Sequence, residues 1–161
     1  MTRGAAPLSP CVCNTLRMAT RVVTQLYDDV LRPSGLRVTQ FSMLAAIERL
    51  GLANLRQLEE ALAIDQTTLT RSLGLLERDG LTERVAHPDR RIKAMRLTPR
   101  GRTVLRTARP LWSRAQQTVL RELGSKGWAD ARRRLAHLRD VAVRTRRSRR
   151  ARGPRTASRP A

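Results

Sequence analysis

Apolar side chains along this chain recur mostly at spacings of three and four, the period of helices that bury one face. Val12, Leu16, Ala19, Val23, Leu26 and Val30 form the first such stripe. Ser9-Pro10 ahead of it offers an N-cap and a proline suited to the first helical position. Pro33-Ser34-Gly35 ends it. A helix of about 20 residues exceeds what one face of a small core requires, so it is expected to pack on a second subunit as well. Thr39 caps the next helix, which carries Phe41, Leu44, Ile47 and Leu50 and closes at Gly51. Asn54, with Gln57 three residues on, has the form of a capping box and starts a short helix with Leu55, Leu58 and Leu62. After the turn Ala63-Ile64, Asp65 caps a further helix. Leu69, Leu73 and Leu76 line one face of it and Gln66, Thr67, Thr70, Arg71 and Arg78 the other. Gly80 supplies its left-handed end.

Beyond Gly80 the period changes. Leu81–Ala86 and Ile92–Leu97 are strand-like, and they enclose the basic turn His87-Pro88-Asp89-Arg90-Arg91. Thr98-Pro99 opens a long helical pattern through Val104, Leu105, Ala108, Leu111, Trp112, Ala115, Val119 and Leu123. Pro110 inside it predicts a kink, because it lacks an amide donor and crowds a preceding carbonyl. Gly124-Ser125 breaks the pattern, and Trp128, Ala131, Leu135, Leu138 and Ala142 mark a last helix. The expected fold is mainly α with a small β-hairpin wing, a winged helix-turn-helix. The surplus apolar face of its N- and C-terminal helices would serve an ordinary bundle or a dimerisation region.

Composition adds a partner. The formal net charge is +20, from 33 Lys plus Arg against 13 Asp plus Glu, and almost all the cations are Arg. Such a balance suits nucleic acid or an acidic membrane. No run approaches the roughly 20 apolar residues that span a bilayer, and no secretory leader is evident, so a cytoplasmic location without a membrane partner is expected. Two cysteines one residue apart do not make the disulfide framework of a secreted domain. Residues 1–8 read as a loose leader and 9–143 as one domain, with dimerisation helices at about 9–33 and 99–143 and a DNA-reading part at about 39–98. Residues 144–161 contain eight Arg, no acid and no large apolar residue, and are expected to be a disordered basic tail.

Asp65, Thr68, Thr70, Leu76-Glu77, Gly80-Leu81, Asp89-x-Arg91 and Leu97-Thr98-x-x-Gly101 together resemble the signature of the MarR (multiple antibiotic resistance regulator) family. The resemblance implies a dimeric bacterial transcription factor whose N- and C-terminal helices form the dimerisation region, usually a repressor released by a small molecule or an oxidant. Its partners are then double-stranded DNA with a pseudo-palindromic operator, a second copy of the chain and an effector.

On that reading Gln66, Thr67, Thr70 and Arg71 face base edges, the Gln amide matching adenine and the Arg fork guanine. The family pattern implies that Arg91 enters the minor groove, that Arg90 meets a phosphate, and that Asp89 supports the wing by pairing an Arg. Cys11 and Cys13 fall near the start of the first helix, whose positive end favours a thiolate over a thiol. The stretch from Cys13 to Tyr27 also resembles the branch of the family that senses organic hydroperoxides. There a reactive Cys near the helix start is followed fourteen residues later by a Tyr. A second Tyr of that branch is replaced by Arg17, one turn from Cys13 and able to stabilise a thiolate. Packing is the alternative role for so small a side chain. Residues two apart in a continuous helix point to nearly opposite faces, which argues against chelation or an easy disulfide between the thiols. No metal spacing, phosphate loop or hydrolase motif is present, so neither cofactor nor enzymatic activity is expected. The competing function is an architectural protein that binds nucleic acid without sequence choice.

Overall fold

The residues described by the computed structural model, 11–86 and 94–151, follow one order from end to end. It is α1 (Val12–Leu31), a 3-10 turn (Arg32–Ser34), α2 (Val38–Leu50), β1 (Ala53–Asn54), α3 (Leu55–Leu62), α4 (Gln66–Arg78), β2 (Thr82–Val85), β3 (Ala94–Leu97) and α5 (Pro99–Ala151). The helical dihedrals of α5 break at Gly124, where φ is 68° and ψ 157°. The expected break is therefore present, and Pro110 lies inside the helix before it. The chain divides into two units, Met1–Gln116 and Gln117–Ala161.

Several helix starts differ from expectation. The first non-helical residue before α1 is Cys11, with extended dihedrals, so the helix begins at Val12 and Ser9-Pro10 falls outside the described residues. For α2 the N-cap is Arg37 rather than Thr39. Its free amides are met from elsewhere: Gln40 Oε1 accepts the Arg37 N–H at 2.9 Å, and Asp28 Oδ1 of α1 accepts the Val38 N–H at 2.7 Å. A carboxylate brought in from another helix leaves no local signature, which is why the sequence favours Thr39. The Asn54–Gln57 box forms as expected, at 2.8 and 3.0 Å.

Three antiparallel strands lie in the order β1-β3-β2. Thr82 pairs with Leu97, Glu83 with Arg96, Arg84 with Met95 and Val85 with Ala94, while β1 sets Ala53 against Met95. The sequence pattern does not show β1, since two residues are too few to alternate. The core of the first unit is leucine-rich, with Leu31, Leu44, Ile47, Leu58, Leu69 and Leu105 wholly buried. Three of the four aromatic residues also lie in this unit. Phe41 and Trp112 stack with centroids 5.5 Å apart, joining α2 to α5, a contact worth about 0.5–1.5 kcal/mol beyond area burial. Arg109 of α5 pairs with Glu48 of α2 beside it.

The expected α1 stripe is not core. Only Tyr27 and Leu31 of α1 are buried, Leu16, Leu26 and Val30 are half-buried, and Val12, Ala19 and Val23 are exposed. In the second unit, residues 117–148 include no buried side chain, although Leu123, Leu135, Val141 and Val143 are large and apolar. The helix also continues past Arg144 to Ala151, where a disordered tail was expected. Arginine is a good helix former, and extending a helix is far easier than nucleating one.

The tightest junction joins the end of α4 to the start of α5. The Gly80 N–H donates to the Glu77 carbonyl at 3.0 Å and the Leu81 N–H to the Leu76 carbonyl at 2.9 Å, closing α4 with Gly80 at φ +66°. Thr98 Oγ1 donates to the Gly80 carbonyl at 2.7 Å and accepts the Gly101 N–H at 2.9 Å, so one hydroxyl caps α5 and holds the α4 terminus. A Cβ at Gly101 would lie 1.9 Å from the Leu81 carbonyl oxygen. Gly101→Ala is therefore expected to destabilise by about 3 kcal/mol or more through overpacking against backbone. Gly80→Ala should cost only about 1–2 kcal/mol for its left-handed dihedrals. Urea denaturation measures both, and a Gly101→Ala loss smaller than that of Gly80→Ala would refute the close approach.

Candidate nucleic-acid interface

α3 and α4 are joined through Ala63, which adopts a left-handed conformation (φ 53°, ψ 37°) without being glycine. Beyond the turn, Asp65 Oδ1 accepts the Thr68 N–H at 3.0 Å and Oδ2 accepts the Thr68 hydroxyl at 2.7 Å. These two bonds, the backbone one first, hold the Asp65 carboxyl below its ordinary range. A negative charge also suits the positive end of α4. Leu69, Leu73 and Leu76 are buried, so the opposite face of α4 is presented outward.

On that face Gln66, Thr67, Thr70 and Arg71 are all exposed, as expected. Among the described residues none of the four has a side-chain hydrogen bond. The helical period places Gly74 and Arg78 on the same face. The sequence reading does not single out Gly74, yet nothing lies within 4 Å of where its Cβ would be. The signal was available: Gly74 is four residues from Thr70 and three from Arg71.

Arg84 of β2 pairs with Glu77 of α4 at 3.1 Å, and Arg96 of β3 with Glu83 of β2 at 2.8 Å. The strand bases of the wing are thus ionically tied to the reading helix and to each other. Two arginines that look like free positive charge in the sequence have acidic partners. Asp89, Arg90 and Arg91 lie outside the described residues. Between α3, α4 and the strands is a cleft of about 190 Å³, lined by Leu55, Gln66, Thr70, Leu73, Arg84 and Met95.

The cysteine region is assembled only in part. Cys11 and Cys13 are both exposed free thiols, and Arg17 is exposed one turn beyond Cys13. Because Cys11 precedes the helix, the two thiols are not two positions apart on one continuous helix. The geometric objection to joining them is weaker than the sequence suggests. Tyr27 lies fourteen residues along α1 from Cys13, about 21 Å at the helical rise, so one chain does not bring the pair together. Its hydroxyl instead donates to Gln116 Oε1 at 2.6 Å, and burial raises the phenol above its ordinary pKa.

A profile of the MarR family matches residues 34–92, from the end of the 3-10 turn to the wing. The chain is 41% identical to the transcriptional regulator MosR of M. tuberculosis, solved in complex with DNA. That match covers 84% of this chain and 98% of MosR, with a TM-score of 0.77. The chain belongs to the MarR family. Its similarity extends to BpsR of Bordetella bronchiseptica at 26% identity, covering 85% of this chain and 99% of BpsR with a TM-score of 0.74. MarR of E. coli, complexed with operator DNA, shares the fold at 23% identity and a TM-score of 0.72, over 79% of this chain and 92% of MarR. No curated protein matches the chain.

As a MarR-family transcriptional regulator the chain has the winged helix-turn-helix that its pattern predicts. Among the described residues no helix is long and apolar enough to cross a membrane, and no cluster of three or more His, Cys, Asp or Glu could hold a metal. The start of its reading helix depends on an ionised cap, and this sets a pH dependence. The folded-state pKa of Asp65 is lowered, so its contribution is complete above the unfolded pKa and is lost as pH falls through the folded value. Protection against amide exchange at Thr68 and Leu69, relative to the intrinsic rate at each pH, should fall in acid before that of buried Leu105. Asp65→Asn keeps an acceptor but does not titrate, and should remove this pH dependence. An acid profile at Thr68 that is the same in both proteins would take the carboxylate out of the cap.

Proposed function

We propose that this chain is a dimeric, sequence-specific DNA-binding repressor of transcription whose affinity for its operator is changed by an oxidant or a small molecule. One observation carries the reading. α4 offers Gln66, Thr67, Thr70 and Arg71 to solvent without side-chain partners among the described residues, while its leucines are anchored in the core. Such a helix presents donors and acceptors to base edges from a backbone that its buried leucines hold in place, an amide to adenine and a guanidinium to guanine. The bare Cα of Gly74 lets the backbone approach the groove. Arg91 is assigned to the minor groove, Arg90 to a phosphate and Asp89 to wing support, following the family pattern. Similarity to MosR, solved with DNA, supports the same reading.

A second copy of the chain accounts for apolar surface that one copy leaves open. Val22 of α1 is 65% exposed and Leu123 of α5 49%, and no residue of 117–148 is fully buried. A dimer places two α4 helices on half-sites about one helical turn apart, on a pseudo-palindrome. The repressor assignment follows the family resemblance.

Two routes for the signal are supported. An occupant of the cleft beside Gln66 and Thr70 would touch two reading residues directly. The DNA binding of BpsR is regulated by 6-hydroxynicotinic acid. The second route is oxidation at the start of α1. An organic hydroperoxide transfers an oxygen atom to the Cys13 thiolate, leaving an alcohol and a sulfenic acid. The Cys11 thiol then displaces water to form a disulfide, or the sulfenic acid persists.

Two measurements test this. Arg71→Ala should weaken binding to a duplex obtained by selection by about 1–3 kcal/mol, and should change binding to a scrambled duplex little. Equal wild-type affinity for the two duplexes, each with a steep salt slope, would establish the architectural alternative instead. After treatment with an organic hydroperoxide, wild type should release the selected duplex while Cys13→Ser retains it. If Cys13→Ser releases it as readily, Cys13 is not the sensing thiol.

A further inference from the structure

Charge compensation in this protein stops abruptly near the end of α5. Upstream, many arginines have a carboxylate beside them: Arg56 with Glu60, Arg84 with Glu77, Arg96 with Glu83, Arg133 with Asp130 and Arg139 with Asp140. Asp140 is the last acid in the chain. The last 21 residues, 141–161, contain eight Arg and no Asp or Glu, so eight of the twenty net positive charges fall there. The part of this stretch whose side chains are described, residues 141–148, is helical and every residue in it is exposed. Arg144, Arg146 and Arg147 have no ion pair among the described residues. Helical spacing puts Arg144 and Arg147 on the side of α5 that carries Arg133 and puts Arg146 on the side of Leu135 and Ala142, so beyond Val143 the cations surround the helix.

We propose that the end of α5, centred on Arg144, Arg146 and Arg147, is a second DNA-contacting surface that holds duplex phosphates without reading sequence. The proposal rests on the reading of α4 as a DNA reader, and adds a site that α4 does not need. Charge complementarity selects a polyanion, and composition selects which one. A helix that lies on an acidic membrane needs bulky apolar residues opposite its cations, and none follows Val143. Phosphates along a duplex require only cations at roughly regular spacing, and guanidinium forks bind them well. The expected effect is tighter binding everywhere, with no change in sequence preference.

The test compares the full-length protein with its Arg144→Gln/Arg146→Gln/Arg147→Gln form. Gln retains helix propensity while removing the charge, and circular dichroism checks that helicity is kept. Binding is followed by anisotropy over a salt series, on a selected duplex and on a scrambled one. Affinity should fall by the same factor on both, and the slope of log K against log salt should shrink by about 0.9 for each phosphate that the variant leaves unneutralised. Unchanged affinity and slope on the scrambled duplex would overturn the proposal. So would a weakening confined to the selected duplex, since that surface would then read sequence. Binding to phosphatidylglycerol vesicles that needs these arginines, with duplex binding unaffected, would reassign the surface to lipid. Failure of α4 as the reader shows separately, as wild-type protein that does not distinguish the two duplexes. The scrambled-duplex arm still decides the role of the arginines in that case.

Discussion

The carbonyl of Leu81 against the bare Cα of Gly101 is the contact on which the rest of the reading unit depends. It allows the chain to leave α4, turn at Gly80 and begin β2 while α5 starts directly alongside. The Thr98 hydroxyl uses both its donor and its acceptor capacity at this junction. The Thr98 N–H also donates to the Leu81 carbonyl, at 3.1 Å. Four elements therefore share one small node: the end of α4, the starts of β2 and α5, and the end of β3. Any side chain at position 101 would force them apart, so the orientation of the reading helix relative to its wing is set by backbone packing. Ion pairs such as Glu77–Arg84 reinforce it at a half-exposed surface, where they are individually weak.

A second set of contacts ties α1 to this reading unit. Asp28 caps α2 and approaches Arg37 at 3.6 Å, and Tyr27 donates to Gln116 of α5. Both residues lie in the last third of α1, far from the exposed thiols at its start. The side of α1 that carries Val12, Val22 and Val23 is left open to solvent.

Charge is distributed on the same principle as packing. Around the wing and α2, carboxylates neutralise arginines and fix strands to helices, leaving the polar face of α4 without internal partners. At the end of α5 the carboxylates cease. A total of +20 thus covers two populations, arginines with a carboxylate beside them and arginines without, and the sequence already concentrates the second kind beyond Asp140.

The order of elements was legible in the sequence because each helix carries its own period and mostly its own stop signals. Asn54-x-x-Gln57, Asp65 and Gly80 act through bonds within a few residues, so their roles follow from spacing alone. The exposed polar face of α4 was legible for the same reason: Leu69, Leu73 and Leu76 fix which side of α4 is buried, and Gln66, Thr67, Thr70 and Arg71 must then point away. What the sequence could not reveal involves partners distant along the chain. The α2 cap from Asp28, the strand at Ala53–Asn54, the ion pairs of Arg84 and Arg96, and the Tyr27–Gln116 bond all join residues that only folding brings together. The exposed stripe of α1 is the instructive case. Its period announces that Val12, Val23 and their neighbours want burial, but a period does not say against what. The tertiary structure decided that, because the core of one chain is filled without them.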